Sequence, residues 1–487
     1  MKNKFYITTP IYYVNDRPHI GHAYTTVAAD VLARYHRLIN DEVFFLTGTD
    51  EHGKKVADSA KEAGKTPQEF TDEVAEDFKN VWQELNISND DFIRTTSDDH
   101  KKRVQEIFTK LKSAKTPAGN DVIYEGKYEG LYCTGCEKFL TEKELENGQC
   151  PDHKKEPEKI SEKNYFFRLT DYLDIIKEKV EKDELLILPA KRKAEVLGLL
   201  KQDLQDFSVS RESVDWGVEL PFDKTQKAYV WVDALSNYIT GLGYPALASR
   251  SGKPNKSENF KKFWPANVQL MAQDILKFHT IYWPAILLAL DLPLPQAEFI
   301  HGFFTINGEK MSKTVGNVIN PRDLVKKYGI DVTRYLLLSQ FSFGSESDVQ
   351  EERFDEKYNA DLANGLGNLV ARVSNMLEKD NIAVDIKIGS DQDLKNNFDK
   401  VAQEFRIDEG LKILWNKLRT ADEILSAKKP WEIKDAENKK KILEPIAQDI
   451  LNVAELLQPF MPATAKKIID QFSAKQIKKG EVLFPRI

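Results

Sequence analysis

The sequence predicts an α/β fold in which a parallel-sheet domain is split by an insertion and followed by a helical domain. Two strand–helix–strand segments predict the two halves of the sheet. The region between them, roughly residues 115–230, contains all three cysteines and has a different character. From about Glu351 onward, apolar residues recur at helical spacing and few segments favour strands.

The first half of the sheet begins with the β-prone segment Phe5–Thr9. A helical pattern follows, and one of its faces is formed by Ala29, Leu32, Ala33 and His36. Val43–Thr47 then has the continuous apolar character of a buried strand. Because polar residues hardly alternate in these strands, we expect them to be parallel and covered on both faces.

The second half of the sheet is predicted from a strand at Val268–Met271, a helix at Asp274–Leu290 and a strand at Glu298–Phe304. The helical domain is predicted from apolar residues at helical spacing, which are Leu362, Leu366, Leu369 and Val370, and Ile450, Val453, Ala454 and Leu457.

The composition excludes several classes of protein. Hydrophobic residues make up 41% of the chain and charged residues 30%, as in ordinary globular domains, and 487 residues are enough for two to four of them. The N-terminus lacks the apolar core of a signal peptide, and the longest apolar stretch, 281–290, is too short to span a bilayer. Three cysteines, an odd number, disfavour a disulfide framework, so we expect a cytoplasmic protein.

The first motif is His19-Ile20-Gly21-His22, where the loop after the first strand enters a helix. Unpaired N–H groups at a helix N-terminus bind phosphate, and imidazoles one turn apart can donate to phosphate oxygens. Gly21 leaves room for a nucleotide against the backbone. Taken alone, the pattern fits two surface histidines equally well.

The second motif is Lys310-Met311-Ser312-Lys313-Thr314, about 290 residues after the first. Two lysines in a mobile loop can close on a triphosphate and stabilise a pyrophosphate leaving group. Alone, this motif fits a solvated basic loop better.

The third motif is Cys133-Thr134-Gly135-Cys136 followed by Cys150-Pro151-Asp152-His153, with 13 residues between Cys136 and Cys150. Three thiolates and one imidazole close a tetrahedral zinc site and leave no position for a catalytic water. Buried apolar cysteines would not predict this spacing. We therefore predict one structural Zn²⁺ held by Cys133, Cys136, Cys150 and His153.

Together, the first two motifs resemble the signature pair of class I aminoacyl-tRNA synthetases. Thr314 stands where that family more often has serine, and it keeps the hydroxyl. Further segments resemble the methionyl family with a single zinc knuckle, and these are Thr8–Tyr13, Thr47–Gly53, Tyr229–Leu235 and Asp274–His279.

The resemblance implies a split Rossmann-type catalytic domain and an all-α anticodon-binding bundle. It implies methionine activation with ATP and Mg²⁺, followed by transfer to the 3′ end of tRNA(Met). It assigns His19, His22, Lys310 and Lys313 to catalysis. The implied ATP contacts are His19, Gly21, His22, Asp274 and Lys313. The implied methionine contacts are Ile11, Tyr13, Asp50 (for the ammonium), Trp231, Leu235, Tyr238, Ile275, Phe278 and His279. The implied anticodon contacts are Asn368, Arg372 and Trp431.

The sequence departs from the family at Ala272-Gln273-Asp274, where the usual residues are Gly-Lys-Asp. Ala272 adds a methyl group and Gln273 removes a positive charge, which bears on the ATP contacts. Leu235 stands where some members have proline.

The predicted organisation is a first catalytic half over 1–114, an inserted zinc-knuckle domain over 115–230, a second catalytic half over 231–320, a linker over 321–350 and the helical domain over 351–487. We expect a monomer that does not contact membranes and lacks an appended C-terminal tRNA-binding domain.

Two alternatives remain open at this point. One is a class I synthetase for another apolar amino acid, or a relative that ligates an amino acid to a small molecule. The other is a non-catalytic zinc protein that binds RNA.

Overall fold

The computed structural model describes residues 2–15, 17–140, 142–151, 154–247, 257–306, 308–310 and 318–487. Two predicted site residues, His153 and Lys313, lie outside the described residues, as do the other residues of 311–314. None of the described helices is long and apolar enough to cross a membrane.

The strands of the described residues are β1 (Lys4–Tyr13), β2 (Glu42–Asp50), β3 (Asp91–Arg94), β4 (Ile123–Cys133), β5 (Lys138–Leu140), β6 (Glu158–Phe167), β7 (Leu186–Leu188), β8 (Phe207–Ser208), β9 (Ser210–Arg211), β10 (Lys227–Ala228), β11 (Val268–Ala272), β12 (Ala297–His301), β13 (Phe304–Ile306), β14 (Glu309–Lys310) and β15 (Ser347–Val349).

The α-helices are α1 (Ile20–Leu38), α2 (Lys54–Glu62), α3 (Pro67–Glu84), α4 (Asp98–Ser113), α5 (Leu173–Glu181), α6 (Ala190–Leu199), α7 (Val230–Leu235), α8 (Asn237–Thr240), α9 (Ser257–Phe263), α10 (Trp283–Ala289), α11 (Pro321–Tyr328), α12 (Ile330–Ser339), α13 (Glu351–Lys357), α14 (Asn368–Lys379), α15 (Gln392–Gln403), α16 (Ile407–Lys428), α17 (Ala436–Leu457) and α18 (Pro462–Phe472). Short 3-10 turns cover Glu142–Glu144, Leu169–Tyr172, Gln273–Ile275 and Pro430–Glu432, and π-helical segments cover Phe278–Tyr282 and Tyr358–Gly367.

The chain divides into two compact units. The sheet unit consists of Met1–Pro18, Glu42–Val81 and Asn89–His301. The helical unit consists of His19–Asp41, Trp82–Ser88 and Gly302–Ile487. The five-part division predicted from the sequence stays a prediction.

The sheet unit is built on six parallel strands in the order β3-β2-β1-β11-β12-β7. The two predicted halves meet where β1 pairs with β11, so the parallel α/β fold is confirmed. From that pair the strand order continues through β2 and β3 on one side and through β12 and β7 on the other. Ligands of such sheets bind at the carboxyl ends of the strands, near the point where the strand order reverses.

The inserted region forms an antiparallel sheet in the order β5-β4-β6-β8. Its longest pairing joins β4 to β6, from Ile123 opposite Phe167 to Tyr132 opposite Glu158. The insertion also supplies β7, which pairs with β12 and completes the parallel sheet. β7 is an apolar run of only three residues, which is too short to predict a strand from sequence.

Two predicted elements of the second half differ in the structure. The stretch predicted as one helix, Asp274–Leu290, is helical as far as Ala289, but it is not a single α-helix, because a 3-10 turn and a π-helical segment precede α10. Pro284 cannot donate a backbone hydrogen bond, which disfavours an unbroken α-helix through this stretch. The strand predicted for Glu298–Phe304 is interrupted after His301, where a side chain on Gly302 would lie 2.4 Å from the Glu346 nitrogen.

The helical unit contains a buried ion pair between Arg334 in α12 and Asp30 in α1, with a 2.7 Å contact. Arg334 also donates to the backbone carbonyls of Leu85, Pro459 and Phe460. A buried guanidinium needs a partner for each of its polar atoms, and Arg334 finds them on several elements. The resulting network joins α12 to α1 and to the chain after α17.

Candidate functional site

The carboxyl ends of β1 and β2 bring two predicted residues side by side. Tyr13 lies opposite Asp50 in the parallel register. Between Thr8 and Ile11 the register shifts, so β1 contains one more residue than β2 over this stretch. Such bulges redirect the side chains that follow them, and here those are the predicted site residues Ile11 and Tyr13.

Asp50 is a buried carboxylate without a matching cation among the described residues. Its side chain is 7% exposed, and its Oδ1 has no hydrogen-bond partner in the described part of the chain. Burial, and then the charges of Asp233, Glu137 and Glu51, raise the pKa of Asp50 well above its usual range. A ligand that brings a positive charge to Asp50 would remove this penalty.

Asp233 has the opposite environment. His52 Nδ1 lies 2.7 Å from one of its carboxylate oxygens, and His100 Nε2 lies 2.9 Å from the other. Burial raises the pKa of Asp233, but the two histidines lower it more, so that the pKa falls below its usual range. Asp233 is therefore an internally satisfied carboxylate, and Asp50 is not.

Two aromatic rings of the sheet unit form a stack. The rings of Trp231 in α7 and Phe278 in the π-helical segment lie 3.8 Å apart at an angle of 10°. The indole Nε1 of Trp231 is buried and has no hydrogen-bond partner among the described residues. Leu235 and Tyr238, predicted for the same pocket, are buried in the core of this unit.

A hydrogen-bonded chain connects three further predicted residues. Tyr238 Oη lies 2.6 Å from His279 Nε2, and His279 Nδ1 lies 3.0 Å from the carbonyl oxygen of Ile275. Because a carbonyl only accepts, Nδ1 carries the proton and Nε2 accepts from the tyrosine hydroxyl. Burial lowers the pKa of His279 to about 4, so the imidazole is neutral.

The two departures lie where β11 ends: Ala272 is its last residue and Gln273 follows it. Asp274 is exposed, and the side-chain oxygen of Gln273 accepts a hydrogen bond from Arg192. Arg192 also contacts Glu195 at 2.7 Å. A guanidinium thus lies beside the position at which the sequence has lost a lysine.

His19 and His22 stand at the N-terminus of α1 in the helical unit. His19 Nδ1 accepts from the Gly21 N–H at 3.1 Å, and His22 Nδ1 accepts from the His19 N–H at 3.3 Å. Burial lowers the pKa of His19 to about 4, and burial followed by His19 lowers that of His22. Both imidazoles are therefore neutral with the proton on Nε2, which makes Nε2 a hydrogen-bond donor.

The segment after the predicted lysine loop returns to this helix terminus. The N–H of Ile20 donates to the carbonyl of Ile319 at 3.1 Å. Lys310, at the other side of 311–317, is the last residue of β14, which pairs with β13. The ring of Phe304 in β13 packs edge-on against Tyr24 of α1 at 4.5 Å.

The three cysteines form a cluster whose Sγ atoms all lie within 4.8 Å of one another. Cys136 Sγ and Cys150 Sγ are 3.8 Å apart. That spacing matches the edge of about 3.8 Å in a tetrahedron with Zn–S bonds of about 2.3 Å. Burial and the neighbouring thiols raise the pKa of Cys136, and a divalent cation would reverse this shift. The donor set therefore fits a metal.

The predicted anticodon residues share one surface of the helical unit. Asn368 is exposed at the start of α14, and Arg372 lies one turn further on. The Arg372 guanidinium lies 5.2 Å from the ring of Trp431, which is 48% exposed, and also pairs with Asp422 at 2.8 Å.

Two buried acidic residues of the site were not predicted. Glu51 accepts two hydrogen bonds from Arg94 at 2.7 and 2.8 Å, and Glu137 accepts from Tyr13 at 3.1 Å. Glu51 lies inside the Thr47–Gly53 motif, which could have indicated it. Glu137 directly follows Cys136, but nothing in the sequence indicates a partner 124 residues away.

Comparisons with known proteins show the family of this chain. The family model described as tRNA synthetases class I (M) matches residues 5–160 and 143–374. A methionine–tRNA ligase of Caldanaerobacter subterraneus subsp. tengcongensis is 41% identical over all of this chain and 79% of its own length. One from Thermotoga maritima is 41% identical over 99% of this chain and 77% of its own length. The structure of Mycobacterium tuberculosis methionyl-tRNA synthetase in complex with methionyl-adenylate matches with a TM-score of 0.91 at 34% identity, covering both chains completely.

Proposed function

Because the chain belongs to the class I tRNA synthetases of the methionyl family, we propose that Asp50 and the aromatic residues near it form its methionine site. The chain is a methionine–tRNA ligase, which activates methionine with ATP and charges tRNA. We further assign tRNA(Met) as its substrate in translation initiation and elongation.

The observation that supports this site best is the buried carboxylate of Asp50, whose Oδ1 has no hydrogen-bond partner among the described residues. An α-ammonium group supplies both the positive charge and the hydrogen-bond donors that Asp50 lacks. The Trp231–Phe278 stack offers aromatic surface, and a thioether sulfur packs favourably against aromatic rings. Ile11, Tyr13, Leu235, Tyr238, Ile275 and His279 complete the proposed methionine contacts.

The reaction requires alignment and charge stabilisation more than covalent participation by the protein. The methionine carboxylate attacks the α-phosphorus of ATP, pyrophosphate leaves, and the terminal ribose of the tRNA then attacks the adenylate. Asp50 orients the amino acid through its ammonium group. We name no side chain as a general base.

The neutral imidazoles of His19 and His22 are assigned to the ATP phosphates. Each donates from Nε2, because its Nδ1 is already bonded to the backbone of α1. Gly21 is assigned to the nucleotide, Lys310 and Lys313 to the leaving pyrophosphate and Asp274 to the ribose. The Ile20–Ile319 hydrogen bond supports the assignments of the histidines and of the lysines, since it joins α1 to the chain that follows the lysines.

Zinc is assigned to Cys133, Cys136 and Cys150, with His153 as the fourth ligand. When bound, it would hold the short loop together, because among the described residues the cluster around the cysteines includes only Leu140, Leu131 and Leu145 besides them. Mg²⁺ would accompany ATP and neutralise its phosphates. Asn368, Arg372 and Trp431 are assigned to the anticodon, and the protein is proposed to be a cytoplasmic monomer.

The test is ATP–pyrophosphate exchange with each of the twenty amino acids in turn. Exchange should depend on methionine alone. Exchange that another amino acid stimulates more strongly would refute the assignment, and no exchange with any of them would favour a binding protein.

A further inference from the structure

We propose that Glu137 is a positioning residue, which holds the Tyr13 hydroxyl. It would thereby couple the cysteine loop, residues 131–151, to the methionine pocket. The inference rests on the proposed function, because that function assigns Tyr13 to the amino acid. Glu137 itself is not assigned to the substrate or to the metal.

The carboxylate of Glu137 accepts hydrogen bonds from both the cysteine loop and the edge of the parallel sheet. It is 4% exposed. One oxygen, Oε1, accepts from the Tyr13 hydroxyl at 3.1 Å and from the backbone N–H of Lys55 at 2.8 Å. The other oxygen accepts from the hydroxyl of Tyr132, which directly precedes Cys133. Both carboxylate oxygens are therefore satisfied by groups from three separate segments of the chain.

The backbone of Glu137 is held as firmly as its side chain. Its carbonyl accepts from the Tyr229 hydroxyl at 2.6 Å. Its φ of +49° lies in the left-handed region, which glycine or asparagine adopts more readily than glutamate. A residue keeps such a conformation only where its surroundings impose it. The backbone of the residue after Cys136 is thus fixed by its surroundings, and its carboxylate accepts from Tyr13.

Gly53 leaves the space in which this contact forms. A Cβ at Gly53 would lie 2.8 Å from both Tyr13 Oη and Glu137 Oε1. The φ of Gly53 is also positive, at +110°. Any side chain at this position would push against the two atoms that meet in the hydrogen bond, so the Tyr13–Glu137 contact depends on glycine here.

Lys55 makes a second connection between the cysteine loop and Tyr13. Its Nζ donates to the carbonyl of Gly135, between Cys133 and Cys136, at 2.9 Å, and lies 5.9 Å from the centre of the Tyr13 ring. A displacement of the cysteine loop would therefore move both the acceptor of the Tyr13 hydroxyl and the cation near its ring. Tyr13 in turn lies beside Asp50 in the sheet register.

The experiment is a double-mutant cycle of Glu137→Ala and Tyr13→Phe. Michaelis constants for methionine and for ATP are measured separately by pyrophosphate exchange, methionine binding is measured by calorimetry without ATP, and bound zinc is determined for every variant. Glu137→Ala should raise the methionine KM roughly threefold to tenfold, the effect of one lost hydrogen bond. The ATP KM should stay within about twofold, and the double variant should be no worse than the more affected single variant.

Two conservative controls separate positioning from folding. Glu137→Gln keeps an acceptor oxygen for Tyr13, and its methionine KM should return to within about twofold of wild type. Glu146→Ala changes another glutamate of the same loop, whose partner is the exposed Lys154, and should leave methionine binding unchanged.

The proposal would be overturned if Glu137→Ala kept its zinc and its methionine affinity, or if the two single effects multiplied in the double variant. If Glu137→Ala loses its zinc, the Gly53→Ala variant is measured instead. A raised methionine KM with zinc retained would support the coupling, and an unchanged methionine KM would overturn it. A wild-type protein without methionine-dependent exchange would refute the proposed function itself, whereas normal wild-type exchange with unaffected variants would refute only the role of Glu137.

Discussion

At the scale of single residues, Asp50 and Asp233 show how environment separates a binding carboxylate from a structural one. Both are buried in the sheet unit. Asp233 has two imidazoles and a lowered pKa, whereas Asp50 has an unpaired oxygen, carboxylate neighbours and a raised pKa. The cost of burying Asp50 in the absence of ligand is the reason to expect that a cation binds there.

Asp50→Asn should weaken methionine binding about tenfold to hundredfold, because a charge-assisted hydrogen bond contributes about 1.5–3 kcal/mol. The melting temperature without ligand should be unchanged or higher, since the substitution removes a buried negative charge. Calorimetric titration and thermal unfolding measure the two effects. Asp233→Asn is the matched control and should lower the melting temperature, because it breaks a satisfied network. A destabilised Asp50→Asn would indicate a structural role instead.

His19 should be a neutral imidazole with its proton on Nε2 at pH 7. Because its pKa is lowered to about 4, it should gain charge only near that pH, well below the ordinary histidine value of about 6.5. Long-range ¹H–¹⁵N spectra of histidine-labelled protein report both the tautomer and the midpoint, and His19→Gln identifies the signal. A midpoint near pH 6.5, or an Nδ1–H tautomer, would contradict the capping geometry.

At the scale of elements, the strands and helices that have a long hydrophobic pattern were predicted from the sequence. The features that depend on tertiary contacts were not. The strands β1, β2, β11 and β12 and the helix α1 were predicted from apolar runs and helical spacing. The π-helical segment before Pro284 has no such pattern, and the apolar run of the edge strand β7 is only three residues long. Interruptions of this kind are stabilised by packing around them, which a single segment does not reveal.

Removal of zinc should unfold the cysteine loop and leave the parallel sheet intact. Few apolar side chains of its described residues pack together, so most of the stability of the loop should come from the metal. Chelation should therefore speed amide exchange over residues 131–151 while the exchange of β1, β2 and β11 stays slow. Uniformly faster exchange would show that zinc stabilises the whole unit, and unchanged exchange would show that the loop needs no metal.

Trp431→Ala should separate the two chemical steps. The Trp431 ring lies on Arg372 and is half exposed, so it can stack on an unpaired base. Its loss should raise the tRNA KM in charging about fivefold or more, since base stacking contributes about 1–3 kcal/mol. Methionine-dependent pyrophosphate exchange should stay within about twofold. An equal loss in both assays would contradict a separate anticodon surface.

At the scale of the whole molecule, local motifs predicted most of the candidate site and did not predict its connections. The resemblance proposed Tyr13, Trp231, Tyr238, Phe278 and His279, and the structure pairs Trp231 with Phe278 and Tyr238 with His279. The link from Tyr13 to Glu137 joins positions 124 residues apart. Such pairs become visible only once the topology is known.

Activation and transfer can be tested together in one experiment, which follows a labelled methionine through both reactions. The protein is mixed with ATP and radiolabelled methionine, the complex is isolated, and tRNA with a CAU anticodon is added in a single turnover. Labelled methionyl-adenylate should be found on the protein before tRNA is added, and ester-linked label should be found on the tRNA afterwards. Absence of the adenylate, or an adenylate that never transfers to the tRNA, would contradict the proposed function.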